Sequence, residues 1–208
     1  MINAAIVGIG FWGKLLVKSV NQSRTIRFTK GVTRTNAKAE AFCAEHEIEL
    51  MDDFESLLAD QSVDAIVLAT PHTQHIGQII AAAEAGKHVF AEKPYTLSKS
   101  DAETALAAVK KAGVKTAVGL NRRFAPNYKK LKAMINEGAL GDPIQIEGHF
   151  SANLVLKDAW RSDPSESPAG GMTSLGIHIV DAFINMFGTV AEVRAYSKSL
   201  ATSYDIDD

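Results

Sequence analysis

Five short runs rich in valine and isoleucine, separated by stretches of helical character, restrict this chain to a narrow set of folds. Residues 4–7, 26–32, 65–69, 88–91 and 116–119 hold few polar positions, as strands buried on both faces do. Between them, residues 12–20, 37–46, 54–59, 74–85 and 99–112 are amphipathic or alanine-rich. Parallel strands need crossover connections, so this β-α alternation predicts an α/β fold, a doubly wound parallel sheet with helices on both sides. Local signals agree. Gly86 and Gly113 stand just past two of the helices, where a left-handed cap is wanted, and Ser98 stands at the N-cap of another, with Asp101 in its first turn.

The pattern changes after Asn121. "APNYKKLKAMINEG" reads as an amphipathic helix, "GDP" as a turn, and "IQIEGHF" as a strand with one wet face. A polar loop with Trp160, a helix over about 171–187 and a second alternating strand, "AEVRAYSKS", follow. This predicts two domains, residues 1–122 and a C-terminal α+β domain over 123–208. Two strands and a helix make a thin core, so the second domain is expected to be incomplete as it stands.

Composition narrows the function classes. A formal charge of -2, with basic and acidic residues intermingled, disfavours a nucleic-acid partner. The single cysteine, Cys43, permits no intrachain disulfide and sits in a helical pattern as core filler, which points to a reducing compartment. No apolar stretch is long enough to span a membrane, and "MINAAIVGIG" lacks a basic segment before it. A cytoplasmic protein without a membrane partner is expected.

Chemistry enters at "VGIGFWGK". Gly8, Gly10 and Gly13 have the spacing G-x-G-x-x-G, directly after the first expected strand and opening the first expected helix. That context turns a weak motif into a dinucleotide cradle: Gly8 for the tight turn, Gly10 for close approach of a pyrophosphate, Gly13 for helix packing. Phe11 and Trp12 lie in the same turn. At the end of the second expected strand, "GVTRTNAKA" has no carboxylate to meet the adenosine ribose hydroxyls. Thr33, Thr35 and Arg34 could instead hold a 2'-phosphate. NADP is therefore the favoured cofactor, with NAD the alternative.

"ATPHTQH" follows the fourth expected strand and "AEKPYT" the fifth, and with the glycine turn, "NRRFAP" and "GGMTSLGIHIVD" they resemble the Gfo/Idh/MocA family of NAD(P)-dependent oxidoreductases. The resemblance implies a Rossmann domain followed by a substrate domain that is completed, and commonly oligomerises, through an antiparallel sheet beyond residue 208. A homo-oligomer is expected with that domain complete. It also implies a sugar or polyol-like small-molecule substrate, with Lys93 and His178 catalytic, and a Lys93-Pro94 bond that can be cis. Thr70, Pro71, His72, His75, Glu92 and Lys93 would border the cofactor; Lys93, Arg123, Trp160, Ser174, His178 and Asp181 would border the substrate.

On its own chemistry, Lys93 would stabilise an alkoxide, with Pro94 restricting its backbone, and His178 would exchange a proton near neutral pH. Asp181 either orients the ring or pairs with an N–H or arginine in the core; Trp160 either stacks on a sugar or packs. Ser174 stands where many relatives of the family place aspartate four residues before the histidine, which removes a negative charge from the set. His72 and His75 have i, i+3 spacing but no cluster around them to complete a metal site, so no metal is expected. Two readings stay open: hydride transfer between nicotinamide C4 and a hydroxyl or carbonyl carbon, or a catalytically inactive dinucleotide-binding sensor.

Overall fold

The computed structural model describes residues 1–152, 160–200 and 206. The chain divides into two compact units, Met1–Gly119 and Leu120–Asp208, three residues earlier than the boundary the sequence suggests.

The first unit holds strands β1 (Ile2–Val7), β2 (Ile26–Val32), β3 (Glu49–Leu50), β4 (Ala65–Leu68), β5 (His88–Ala91) and β6 (Thr116–Val118). Its helices are α1 (Phe11–Ser19), α2 (Glu40–Glu45), α3 (Phe54–Ala59), α4 (His75–Glu84) and α5 (Lys99–Ala112). All strand pairs are parallel, in the order β3-β2-β1-β4-β5-β6, so the order reverses between β1 and β4. That reversal opens a crevice at the carboxyl ends of the strands, where open α/β sheets bind ligands. One buried cluster, with Leu57, Ile66, Leu68 and Ile79, fills one face of the sheet; another, with Ile6, Phe28, Phe42 and Cys43, fills the other. Cys43 is core filler, and burial pushes its thiol pKa up.

The two-residue β3 has no counterpart in the sequence reading, because it is too short to show a period. It pairs with β2 only at Lys30↔Glu49 and Gly31↔Leu50, and the Lys30 ammonium bonds the Glu49 carboxylate. The α2 region also differs: a 3₁₀ turn, Asn36–Lys38, precedes a shorter helix.

Lys87, just before β5, is buried although no motif marks it. Its Nζ donates to the carbonyls of Asp60 (2.7 Å) and Val63 (2.8 Å), pinning the loop that leads into β4. Lys87→Met would leave both carbonyls without that donor. A loss of about 2 kcal/mol, read from a urea midpoint, is expected.

The second unit contains α6 (Pro126–Asn136) and α7 (Ile177–Phe187). Among the described residues the expected strands at "IQIEGHF" and "AEVRAYSKS" are not formed: residues 144–150 and 191–199 have no ladder partner there, and Ile144 and Tyr196 are almost fully exposed. Alternation alone does not make a strand; a neighbour must accept its hydrogen bonds. The helix expected over 171–187 is present, but its first part, Met172–Gly176, is wound as a π-helix. Among the described residues no helix is long and apolar enough to cross a membrane.

Candidate functional site

The glycine turn is built by close packing on two sides. Gly8 has φ +92°, and a Cβ on it would lie 2.6 Å from the Ala69 carbonyl oxygen. A Cβ on Gly13 would lie 2.0 Å from the Gly8 carbonyl oxygen, which lets α1 rest on its own turn. Gly10 is different. Its φ is -85°, and a Cβ there meets nothing within 4 Å. The fold therefore has no need of glycine at position 10, whereas a group approaching the backbone from outside does.

Gly10 is also the N-cap of α1, with no side-chain cap and no acidic residue in the first turn. The first N–H groups of a helix have no intrahelical acceptor and carry its positive end. Phe11, Trp12 and Gly13 thus present an uncovered anion-binding turn, and a dinucleotide pyrophosphate fits it. Phe11 and Trp12 pack edge to face beside it, ring centroids 5.3 Å apart, with Phe11 largely exposed.

The neighbouring strand ends contribute the rest of this edge. Thr33 and Arg34 follow β2, with Arg34 exposed and no carboxylate before Glu40. After β4, Thr70 donates its hydroxyl to Gln78 Oε1 at 2.6 Å, and Pro71 leads into the 3₁₀ turn His72–Gln74. His72 and His75 are buried, with ring centroids 5.9 Å apart. After β5, the Lys93-Pro94 bond is cis. The Lys93 N–H donates to Glu92 Oε2 at 3.2 Å, and the Glu92 carboxylate covers Gly119, where a Cβ would approach it to 3.1 Å. The Glu92 carboxylate thus lies across the carboxyl ends of β5 and β6. Among the described residues, no three His, Cys, Asp or Glu side chains gather as a metal ligand set.

A separate cleft of about 680 Å³ lies between the C-terminal ends of α1 and α2 and the start of β2. It is at the opposite edge of the sheet and includes none of these residues. Helix C-termini disfavour phosphate, so the glycine edge, not this cavity, is the candidate dinucleotide site.

In the second unit, α7 holds His178 and Asp181 on one buried face. Arg123, in the 3₁₀ turn Asn121–Phe124, grips Asp181: its Nε donates to Oδ1 at 2.9 Å and to Oδ2 at 2.8 Å, and a terminal guanidinium nitrogen also bonds Oδ1. That hydrogen bonding raises the Arg123 pKa above its ordinary value. Of the roles open to Asp181, the arginine partner is the one observed. Ser174 falls inside the π-helix, one residue-pair before Gly176, where a Cβ would meet Met172 Sδ at 2.3 Å. Single π-turns within helices recur at functional sites. Trp160 opens a 3₁₀ turn and carries the Arg161 guanidinium 4.0 Å from its ring centre.

Residues 2–120 match the family model described as "Oxidoreductase family, NAD-binding Rossmann fold", and residues 128–208 match the GFO/IDH/MocA C-terminal domain. The chain belongs to the Gfo/Idh/MocA oxidoreductase family. Two Bacillus subtilis relatives are similar to it: the oxidoreductase YrbE, 38% identical over 68% of this chain and 42% of that protein, and scyllo-inositol 2-dehydrogenase (NAD(+)), 36% identical over 71% of this chain and 44% of that protein. A crystal structure of an oxidoreductase from Desulfitobacterium hafniense superposes with a TM-score of 0.91 at 28% identity, covering 99% of this chain and 60% of that one. The chain spans less than half the length of these two curated relatives. Family membership accounts for the turn geometry: an NAD-binding Rossmann unit uses the strand-order reversal where Gly8 to Gly13 and Thr70 to Pro71 lie.

Proposed function

We propose that this chain is the dinucleotide-binding unit and part of the substrate unit of an NADP-linked dehydrogenase or reductase acting on a hydroxyl or carbonyl carbon of a sugar or polyol. The observation that carries the dinucleotide part is Gly10, a glycine with open space around it at an uncapped helix start. The substrate class is supported by kinship with scyllo-inositol 2-dehydrogenase.

In this reading the N–H groups of Phe11, Trp12 and Gly13 hold the pyrophosphate, and Thr33 and Arg34 hold the 2'-phosphate. Thr70, Pro71, His72, His75, Glu92 and Lys93 form the wall along β4 and β5. When bound, the nicotinamide accepts or supplies a hydride at C4. Lys93 offers an ammonium to the substrate oxygen and lowers the energy of negative charge there. His178 takes the hydroxyl proton during oxidation, as the C–O bond becomes a carbonyl, and returns it during reduction. Ser174 supplies a hydrogen bond without charge, and Trp160 offers an aromatic face. Arg123 and Asp181 act as the frame that holds the His178 helix.

A separate titration with NADPH and NADH, followed by fluorescence, tests the cofactor assignment. Tighter NADPH binding is expected, and Arg34→Ala should weaken NADPH by about tenfold, the worth of a charge-assisted contact, while changing NADH little. Equal loss for both would contradict the Arg34 assignment. Turnover of a sugar and polyol panel by the full-length protein then separates the enzyme from the alternative that Ser174 favours, a dinucleotide-binding regulator. Binding without any absorbance change would support the regulator.

A further inference from the structure

The His75 imidazole lies between two backbone carbonyls from two different turns of the candidate site. His75 is completely buried at the start of α4. Its Nδ1 is 2.9 Å from the Pro94 carbonyl oxygen and its Nε2 is 3.2 Å from the Thr70 carbonyl oxygen. A carbonyl oxygen only accepts, and a neutral imidazole carries one N–H, so one of the two ring nitrogens donates to the oxygen it faces. The shorter contact fixes the assignment at Nδ1: an unprotonated Nδ1 would set its lone pair against the Pro94 oxygen in a site with no water contact, which is unfavourable.

We infer that His75 is a positioning residue: through its Nδ1–H it ties the Pro94 carbonyl, and with it the Lys93 backbone, to the start of α4, the helix that follows the Thr70-Pro71 turn. This rests on the proposed function, because it assigns Lys93 to the substrate and Thr70-Pro71 to the dinucleotide. That bond joins two segments 19 residues apart in sequence, the start of α4 and the turn after β5, so displacement of the Lys93-Pro94 turn is resisted by the helix. The Gln78 side chain supports the same arrangement, since it takes the Thr70 hydroxyl from one helical turn further along α4. The α4 helix thus holds the Thr70 turn through the Thr70 hydroxyl and the Pro94 turn through the His75 ring.

The test begins with the wild-type protein. Imidazole ¹⁵N spectra are expected to show the His75 Nδ1 in the protonated range at neutral pH; an unprotonated Nδ1 would overturn the inference without any variant. His75→Leu and His75→Asn are then compared, asparagine placing an amide donor close to the Nδ1 position. In each folded variant, the labelling rate of the Lys93 amine by an acylating reagent is measured by mass spectrometry against exposed Lys99, and NADPH and NADH affinities are titrated. His75→Leu should change the Lys93/Lys99 labelling ratio at least about threefold and weaken dinucleotide binding by about tenfold, as expected for loss of a buried hydrogen bond. His75→Asn should restore most of both. Unchanged labelling and affinity in folded His75→Leu would reduce His75 to a space-filling residue. If the wild type binds neither dinucleotide, the proposed function fails, whereas a wild type that binds alongside indifferent variants defeats only the positioning role.

Discussion

Gly13→Ala is expected to destabilise the first unit by about 3 kcal/mol, lowering its melting temperature by about 10 °C. The cause is backbone against side chain. A Cβ 2.0 Å from the Gly8 carbonyl oxygen cannot be relieved by rotating a flexible neighbour, so α1 must lift from the turn that it caps. The loss would show in a thermal melt without any ligand. A melt within a degree of the wild type would mean that the α1 start is more yielding than its packing indicates.

Arg123→Ala carries the second large effect. Asp181 is 6% exposed, and its carboxylate receives three hydrogen bonds from one guanidinium. Removing that partner leaves a buried charge uncompensated, which in such pairs costs about 3–5 kcal/mol. Arg123 is itself 39% exposed, so water can reach part of the vacated space and the lower end, about 3 kcal/mol, is expected. Removing both charges together should recover most of the loss, because neither desolvated partner is then stranded: Arg123→Met with Asp181→Leu is predicted to lie closer to the wild type than Arg123→Ala alone. A denaturant series on the three proteins decides it. A loss in the double variant as large as that of Arg123→Ala would show that the pair does not act as a unit.

The parallel sheet was legible from sequence because its strands are buried on both faces and its helices carry caps that can be read locally. Ser98 accepts from the Asp101 N–H, and Gly113 takes the left-handed conformation. The glycine turn was legible from its spacing, of which Gly8 and Gly13 answer to local packing. Three features were not. β3 is defined by its neighbour rather than by its own pattern. The second unit's alternating segments have a strand's pattern but, among the described residues, no partner. The π-winding of Met172–Gly176 depends on how Met172 packs over Gly176, which helical periodicity does not encode. At the candidate site, the bonds between residues were not legible. Arg123 and Asp181 are 58 positions apart, and no spacing rule links them. The His75 ring shows the same limit: its place beside the glycine edge follows from the motif, whereas the two carbonyls it faces follow only from the fold.

Dinucleotide titration of Gly10→Ala, with Gly77→Ala as a control, tests the central claim most directly. Both glycines have open space where a Cβ would go, and neither has a positive φ, so neither substitution should lower the melting temperature. If position 10 is glycine because a pyrophosphate approaches its backbone, Gly10→Ala will weaken NADPH and NADH binding by about tenfold or more while Gly77→Ala leaves both unchanged. Wild-type affinity in a folded Gly10→Ala protein would contradict the account.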